Sequence, residues 1–355
     1  MKFTAAVAIS GGVDSMMAAY ALKQQGHHVI GIHFLTGFET PVHRPKADTE
    51  VQSHPIIEIG NQVGITIKLL DCRHAFNMQV VDYFIQTYLA GQTPNPCMVC
   101  NPAIKFGSVL AYARELGADR LATGHYAQIK KDSSGKFHLH KGADPHKDQS
   151  YFLARLTQSQ LARACFPLGD MKKSDVQQLA EEKGFHPITR RESQDACFVK
   201  QGSYGEFLLK QSGYAPAPGP IVDCQGTLLG QHEGLHLFTI GQRRGINCPA
   251  PEPYYVVKLD RKGNRLVVGS KSDLLTSTCR VVDINWIMDP PGSPITVLTR
   301  IRYRHREVAS TLFPEGKNSA EVRFKSPQAA ITPGQGAVFY HGDEILGGGW
   351  IAPDT

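Results

Sequence analysis

Apolar residues fall in unbroken runs along the first half of the chain and in shorter, turn-broken pieces along the second. FTAAVAI (3–9) is an apolar run closed by the glycine-bearing turn SGGVDS, as a buried strand would be. The stretch 15–25 then has helical spacing, with Val13, Met17, Tyr20 and Ala21 on one face, and Gly26 stops it. HVIGIHF (28–34) and ITIKLLDC (65–72) read as further strands. NMQVVDYFIQTYLAG (77–91) and AIKFGSVLAYAREL (103–116) read as helices, and ADRLATGHY (118–126) as a strand running into a polar turn. Strands alternating with helices predict an α/β fold, a parallel sheet with helices on both faces.

The pattern changes near residue 200. GYAPAPGPIVD (213–223) is rich in proline and glycine and reads as a boundary. Beyond it come short strands and turns: PIVDCQGTLLGQ, PYYVVKLDRKGNRLVVG, AEVRF and GAVFYHGDEILGGGW. These predict two small β-rich domains, a connector and then a β-barrel. The expected division is 1–202, 203–273 and 274–355. No internal repeat or low-complexity tract interrupts it.

Composition changes this picture little. The chain has 355 residues, 41% hydrophobic and 20% charged, with a formal net charge of +6. That is ordinary for a globular protein and permits a polyanionic partner without requiring one. No run approaches the ~18 apolar residues of a membrane span. The glycines and Asp14 break the N-terminal apolar run too early for a signal peptide. A soluble, cytoplasmic protein is expected. In that compartment clustered cysteines lean towards metal binding or catalysis rather than stable disulfides.

The chemistry begins at SGGVDS (10–15). Gly11 and Gly12 let the backbone turn sharply and approach a ligand, and the following helix points its first amides at an anion. Ser10 and Ser15 offer hydroxyls to phosphate oxygens. Asp14 would repel a bare phosphate, so Mg2+ bridging it to the phosphates is expected. A glycine turn with an N-cap is the plainer reading, but S-G-G-x-D-S directly after an apolar strand is more specific than that. No lysine follows the glycines, so it is not a GxxxxGK[ST] loop. The hexapeptide resembles the PP-loop of ATP pyrophosphatases. That resemblance implies a HUP-like sheet and cleavage of ATP between its α and β phosphates.

Further stretches narrow the resemblance: TPNPCMVCN (93–101), ATGHYA (122–127), HKDQSYFL (146–153), SQDACFV (193–199), FTIGQRRGI (238–246), YYVVKLD (254–260), RYR (302–304), TPGQGAVFY (332–340) and LGGGW (346–350). In order and at compatible spacing, from the first strand to near the C-terminus, they resemble the tRNA-specific 2-thiouridylase family. The resemblance implies adenylation of the 2-carbonyl of a wobble uridine, followed by displacement of AMP by a sulfur nucleophile. It implies that Cys197 receives a persulfide from a sulfur carrier, and that a sulfur-donor protein or sulfide is a partner. Cys100 would assist or release that sulfur, through a disulfide with Cys197, and Asp14 would act in the ATP step. ATP would meet Ala8, Ile9, Ser10, Gly11, Gly12, Val13, Asp14, Ser15, Phe34 and Gly124. The target base would meet Asn95, Pro96 and Cys97. The rest of the tRNA, its anticodon stem-loop above all, would meet His125, Lys147, Asp148, Gln149, Arg302, Tyr303 and Gln335.

One position departs from the family pattern. Where the family has N-P-D-x-x-C, this chain has N-P-C-x-x-C, so an aspartate that could position the base or handle a proton is replaced by Cys97. C-x-x-C with one distant cysteine also resembles another set of tRNA thiolases, in which three cysteines hold a 4Fe–4S cluster with one iron open to sulfide. Two routes therefore stay open: a cluster on Cys97, Cys100 and Cys197, or a persulfide route in which Cys97 merely fills the place of the aspartate. A tetrahedral zinc site lacks a fourth ligand. Cys72, Cys165, Cys224, Cys248 and Cys279 read for the most part as buried structural thiols.

Without any family, RIRYRHRE (300–307) is itself informative. Arg300, Arg302, Arg304 and Arg306 recur at every second residue, so on a strand they would share a face suited to a phosphate backbone, with Tyr303 as a stacking surface. GQRRG (241–245) adds two arginines. His138, His140, Asp144 and His146 lie in a turn-rich stretch that reads as a solvated hairpin rather than a metal site. The reading is an ATP-dependent sulfurtransferase acting on tRNA. A PP-loop ligase or amidotransferase with a small-molecule acceptor is one alternative, but the sequence shows no ammonia-donating machinery. A non-catalytic RNA-binding protein with a relict nucleotide site is the other.

Overall fold

The structure is a computed structural model and describes residues 2–39, 54–188, 196–199, 203–213, 215–249 and 251–353. Ser193, Gln194 and Asp195 of the SQDACFV motif lie outside the described residues, as do 200–202 at the expected domain boundary and Tyr214 of the proline-rich stretch. The chain divides into two compact units. One comprises 1–80, 97–198 and 341–347, the other 81–96, 199–340 and 348–355.

In the first unit, strands β1 (Thr4–Ala8), β2 (His28–Leu35), β3 (Thr66–Asp71), β4 (Arg120–Ala122) and β7 (Ala164–Cys165) form a sheet in the order β3-β2-β1-β4-β7. Each described pairing in it is parallel. Ala5–Ala8 are buried, as in a strand covered on both faces. Helix Val13–Gln24 follows β1. It buries Met16, Met17, Ala18, Ala19 and Leu22 in a core shared with Val7, Ile9, Ile59 and Tyr126. The chain first moves outward from β1 to β2 and β3, then returns to the other side of β1 with β4. This makes the β1/β4 gap the switch point of the sheet, where open α/β sheets bind ligands beyond their carboxyl ends.

The expected helices are present with shifted starts. The 77–91 helix is helical over 73–89 as Arg73–Phe76, a π-helical turn Asn77–Val81, and Asp82–Leu89. The 103–116 helix begins earlier, at Pro96. It runs as Pro96–Cys100, a π-helical segment Asn101–Val109, and Leu110–Glu115. Cys97 and Cys100 thus ride on the opening five residues of a helix. Pro96 opens it because a first-turn proline has no amide to leave unpaired. The wide winding behind them strands carbonyls, and the Gln160 side chain satisfies two of these by donating to Pro102 O (2.8 Å) and Phe106 O (3.1 Å). Strands β5 (Ala127–Lys131) and β6 (Phe137–Lys141) form a hairpin that carries His138 and His140, but Asp144 and His146 lie beyond it and Asp144 is buried rather than solvated.

In the second unit, β8 (Gly219–Val222), β9 (Leu228–His232), β10 (Tyr255–Asp260) and β11 (Arg265–Gly269) form a sheet over Ile221, Phe238, Val256, Leu266 and Val268. The barrel strands are β12 (Leu275–Trp286), β13 (Ile295–Arg300), β14 (Val308–Pro314), β15 (Ala320–Ala329), β16 (Gly336–His341) and β17 (Glu344–Ile351). Among the described residues their order is β12-β15-β14-β13-β16-β17, and a β12–β17 pairing closes the ring. The arginine stripe corrects one expectation. β13 stops at Arg300, and 301–307 is a turn rather than a strand. Arg300 bends back to donate to His305 O at 2.9 Å, which ties the turn together. Arg302, Arg304 and Arg306 remain exposed while Ile301 is buried.

Candidate active site at the β1/β4 switch point

The SGGVDS turn lies just beyond β1. Gly11 has φ +87°, a left-handed conformation that disfavours side chains. Ser10 and Ser15 clasp the turn. The Ser10 amide and hydroxyl donate to Ser15 Oγ (both 3.2 Å), and Ser15 Oγ donates to Gly12 O (2.9 Å). No side chain caps the helix at Gly12, so its first amides remain for an anion.

Asp14 differs from expectation. Its carboxylate accepts from Lys173 Nζ at 2.7 Å on both oxygens and from the Tyr126 hydroxyl at 2.8 Å. The expected Mg2+ bridge through Asp14 therefore meets a carboxylate already paired with an ammonium. Lys173 is 6% exposed and opens helix Lys173–Glu182, where its backbone amide donates to Asp144. Sequence reading missed Lys173 and Tyr126. MKKSD carries no sign that one of its lysines is buried, and Tyr126 sat inside a recognised motif without an assigned partner.

The turn after β4 makes the other wall. A Cβ on Gly124 would come within 2.7–2.9 Å of Asp14, so only glycine lets the two turns meet this closely. Neighbouring His125 is buried. It accepts from Lys105 Nζ on Nε2 (3.3 Å) and shares a hydrogen bond with the Thr123 hydroxyl through Nδ1. Burial, and next the Lys105 charge, hold His125 well below the usual imidazole range, so it is neutral. Gln149 is bound to Tyr126, donating its amide to Tyr126 O (3.0 Å) and accepting the Tyr126 amide on Oε1 (3.2 Å). Asp148 is buried and accepts from the Gly142 and Ser150 amides, and Lys147 beside it is half-buried. Gln149 thus ties the Lys147–Gln149 turn to the turn after β4. Ala8 and Ile9 are buried under that loop, Val13 is half-buried, and Phe34 is half-buried near the end of β2.

The thiols occupy the cysteine helix and a neighbouring segment. Cys97 and Cys197 are exposed, and Cys100 is half-buried. Cys97 is exposed as a residue, yet enough protein surrounds its sulfur to raise its pKa. Burial pushes its thiol up to about 11, the Cys197 charge adds to this, and Lys105 opposes it. Burial pushes Cys100 up to about 12 against Lys105, with smaller additions from Cys197, Cys97 and Cys72. Phe198, buried beside Cys197, packs on Phe76 (ring centroids 5.7 Å) and Phe38 (5.8 Å) and so anchors the Cys197 segment. Among the described residues no disulfide forms, so none joins Cys100 to Cys197. Among the described residues no three Cys, His, Asp or Glu side chains gather closely enough to hold a metal ion. Cys97, Cys100 and Cys197 therefore offer no ready-made cluster seat. Of the remaining thiols, Cys72 and Cys279 are buried, Cys165 and Cys248 half-buried, and Cys224 exposed, against the expectation for that last one.

The other expected contacts lie in the second unit. Asn95 is buried, with its amide on the Tyr83 hydroxyl (3.2 Å). Gln335 donates to Thr93 O (3.2 Å) and Pro94 O (3.0 Å), so it grips the TPNP segment that leads into Pro96 and Cys97. Arg302 is exposed and Tyr303 half-buried on the 301–307 turn.

Family models match three successive stretches. They are described as a tRNA methyl transferase HUP domain (3–201), a tRNA methyl transferase PRC-barrel domain (206–270) and an aminomethyltransferase beta-barrel domain (276–351). The tRNA-specific 2-thiouridylase MnmA of Desulfosudis oleivorans is 51% identical over 346 residues, which are 98% of this chain and 94% of that protein. The tRNA-specific 2-thiouridylase MnmA of Geobacter metallireducens is 45% identical over 351 residues, 97% of this chain and 95% of that protein. The chain belongs to the tRNA-specific 2-thiouridylase family. Membership accounts for the PP-loop at the switch point and for the order of the HUP, connector and barrel modules. No helix among the described residues is long and apolar enough to cross a membrane.

Proposed function

We propose that this protein is an ATP-dependent tRNA-uridine 2-sulfurtransferase that converts the 2-carbonyl of a wobble uridine to a thiocarbonyl. One observation carries the reading. A single turn after β4, residues 123–126, touches the phosphate loop through Gly124 and Tyr126 and the cysteine helix through His125. Nucleotide chemistry and sulfur chemistry thus share one wall.

In this reading the free amides at the start of helix Val13–Gln24 cradle the ATP phosphates. Lys173, anchored on Asp14, faces the charge of the departing pyrophosphate. ATP supplies the adenylyl group that turns the uracil oxygen into a leaving group. Cys197, the exposed thiol, takes sulfur from a donor protein's persulfide: its thiolate attacks the donor's outer sulfur, and the donor cysteine leaves as a thiolate. The terminal sulfur of its persulfide attacks C2, and AMP leaves with the C2–O electron pair. Cys100 then attacks the Cys197 sulfur. A Cys100–Cys197 disulfide forms, the bond to the transferred sulfur breaks, and its electrons stay on the tRNA. A thiol reductant resets the pair. The cluster alternative would require Cys97, Cys100 and Cys197 to close in on iron, and the Mg2+ alternative a carboxylate free of Lys173. We divide the chain into a catalytic domain (1–202), a connector (203–273) and a tRNA-contacting barrel (274–355). Its partners are the tRNA anticodon stem-loop and a sulfur donor, in the cytoplasm.

Nucleoside mass spectrometry after incubation with tRNA, ATP and a persulfide donor tests this. Wild type should form 2-thiouridine, while Asp14→Ala and Cys197→Ser should not. Thiolation by Asp14→Ala would sink the nucleotide role. Iron and acid-labile sulfide on protein purified without oxygen decide between the sulfur routes, since about four irons per chain, lost in Cys97→Ala, would replace the persulfide with a cluster.

A further inference from the structure

Lys105 belongs to no motif, yet its surroundings are unusual. It lies five residues beyond Cys100 on the cysteine helix, within the π-helical segment Asn101–Val109. In an α-helix, at 3.6 residues per turn, position 105 would face about 140° away from position 100. With i→i+5 winding, five residues close nearly one turn, and Lys105 returns to the cysteine side. Its charge acts on both Cys97 and Cys100, the two thiols of that helix. The half-buried ammonium also donates to His125 Nε2 at 3.3 Å, so the buried imidazole accepts on Nε2 and carries its proton on Nδ1, towards Thr123. A lysine paired with a neutral base keeps its full charge, whereas one paired with a carboxylate would have it cancelled. Asp14 shows the second arrangement with Lys173, and Lys105 shows the first.

We infer that Lys105, oriented by His125, is the cation of the sulfur-transfer step. It stabilises the negative charge that develops beside the cysteine helix as the Cys197 persulfide anion adds to C2 and AMP leaves with the C2–O electron pair. His125 is a positioning residue, and the turn that carries it joins this cation to the phosphate loop. The chain lacks the family's aspartate at position 97, and Lys105 supplies a charge from further along the same helix. This inference rests on the sulfurtransferase reading.

The test separates the two half-reactions. Persulfide-loaded enzyme is mixed with tRNA and ATP, and pyrophosphate release and 2-thiouridine formation are followed in single turnover. For Lys105→Met, thiolation should slow about 100-fold, the usual effect of removing one transition-state donor. Pyrophosphate release and the KM values for ATP and tRNA should change by less than about threefold. Lys105→Arg should recover most of the lost rate. His125→Gln, which keeps an acceptor, should lose less than His125→Leu. The inference is overturned if Lys105→Met thiolates at the wild-type rate, if both half-reactions fall together, or if Lys105→Arg is as slow as Lys105→Met. Wild-type enzyme that releases pyrophosphate but never thiolates tRNA would instead refute the sulfurtransferase reading itself.

Discussion

At the scale of single residues, the Asp14 carboxylate is held from two sides. Lys173, nearly buried, bonds both its oxygens, and the Tyr126 hydroxyl adds a third bond. Removing the ammonium leaves a carboxylate facing the phosphates with no opposing charge. Lys173→Met should therefore lower stability by roughly 2–3 kcal/mol, the scale of a charged hydrogen bond. It should also slow pyrophosphate release at least about 100-fold, against the same measurements on wild type. The loop itself was legible in the sequence because its chemistry is local: Ser10, Gly11, Gly12, Asp14 and Ser15 lie within six residues. Lys173 was not, because the pairing spans 159 positions and nothing in MKKSD marks a lysine as buried. Cys97 was legible as a departure, but its environment was not. Whether three thiols gather around iron depends on how the Cys197 segment docks, and Phe76 and Phe38 fix that.

At the scale of elements, the cysteine helix departs most from its sequence reading. Apolar spacing located it from residue 103, but Pro96 starts it about two turns earlier, and π-helical winding follows. Periodicity is blind to this, since a side chain such as Gln160 that satisfies stranded carbonyls comes from another element. Gln160→Ala should cost about 1–2 kcal/mol by leaving Pro102 O and Phe106 O with one partner fewer, read by thermal melting. It should also slow thiolation more than pyrophosphate release. The β5–β6 hairpin gives a pH prediction. His138 lies between Glu344 (2.6 Å) and Asp132 (3.1 Å), and these hydrogen bonds, Glu344 first, raise its affinity for a proton above the ordinary 6.5. A raised folded value means that this stabilisation is complete below about pH 6.5 and is lost as pH rises through the folded value. The Tm advantage of wild type over His138→Gln should be largest near pH 6 and shrink in alkaline buffer. An advantage that grew with pH would contradict this.

At the scale of the whole molecule, both levels agree on an α/β nucleotide domain followed by β-rich modules. The change of pattern near 200 rests on proline and glycine, which act locally on the backbone. The arginine stripe was misread as a strand because alternation also suits a turn pinned from within, as Arg300 pins His305 O. Exposure of Arg302 and Arg306 survives the correction. If they meet phosphates, alanine at both should weaken tRNA binding and flatten the dependence of log Kd on log salt by about 1–2, whatever the tRNA sequence. The account as a whole stands on ATP being split to AMP at the switch point and used for sulfur transfer. The measurement that tests this most directly is the ratio of AMP formed to 2-thiouridine formed in one reaction with tRNA, ATP and a persulfide donor. The account predicts one AMP per thiolated uridine, with pyrophosphate and no ADP. ADP as the nucleotide product, or thiolation without AMP, would contradict it.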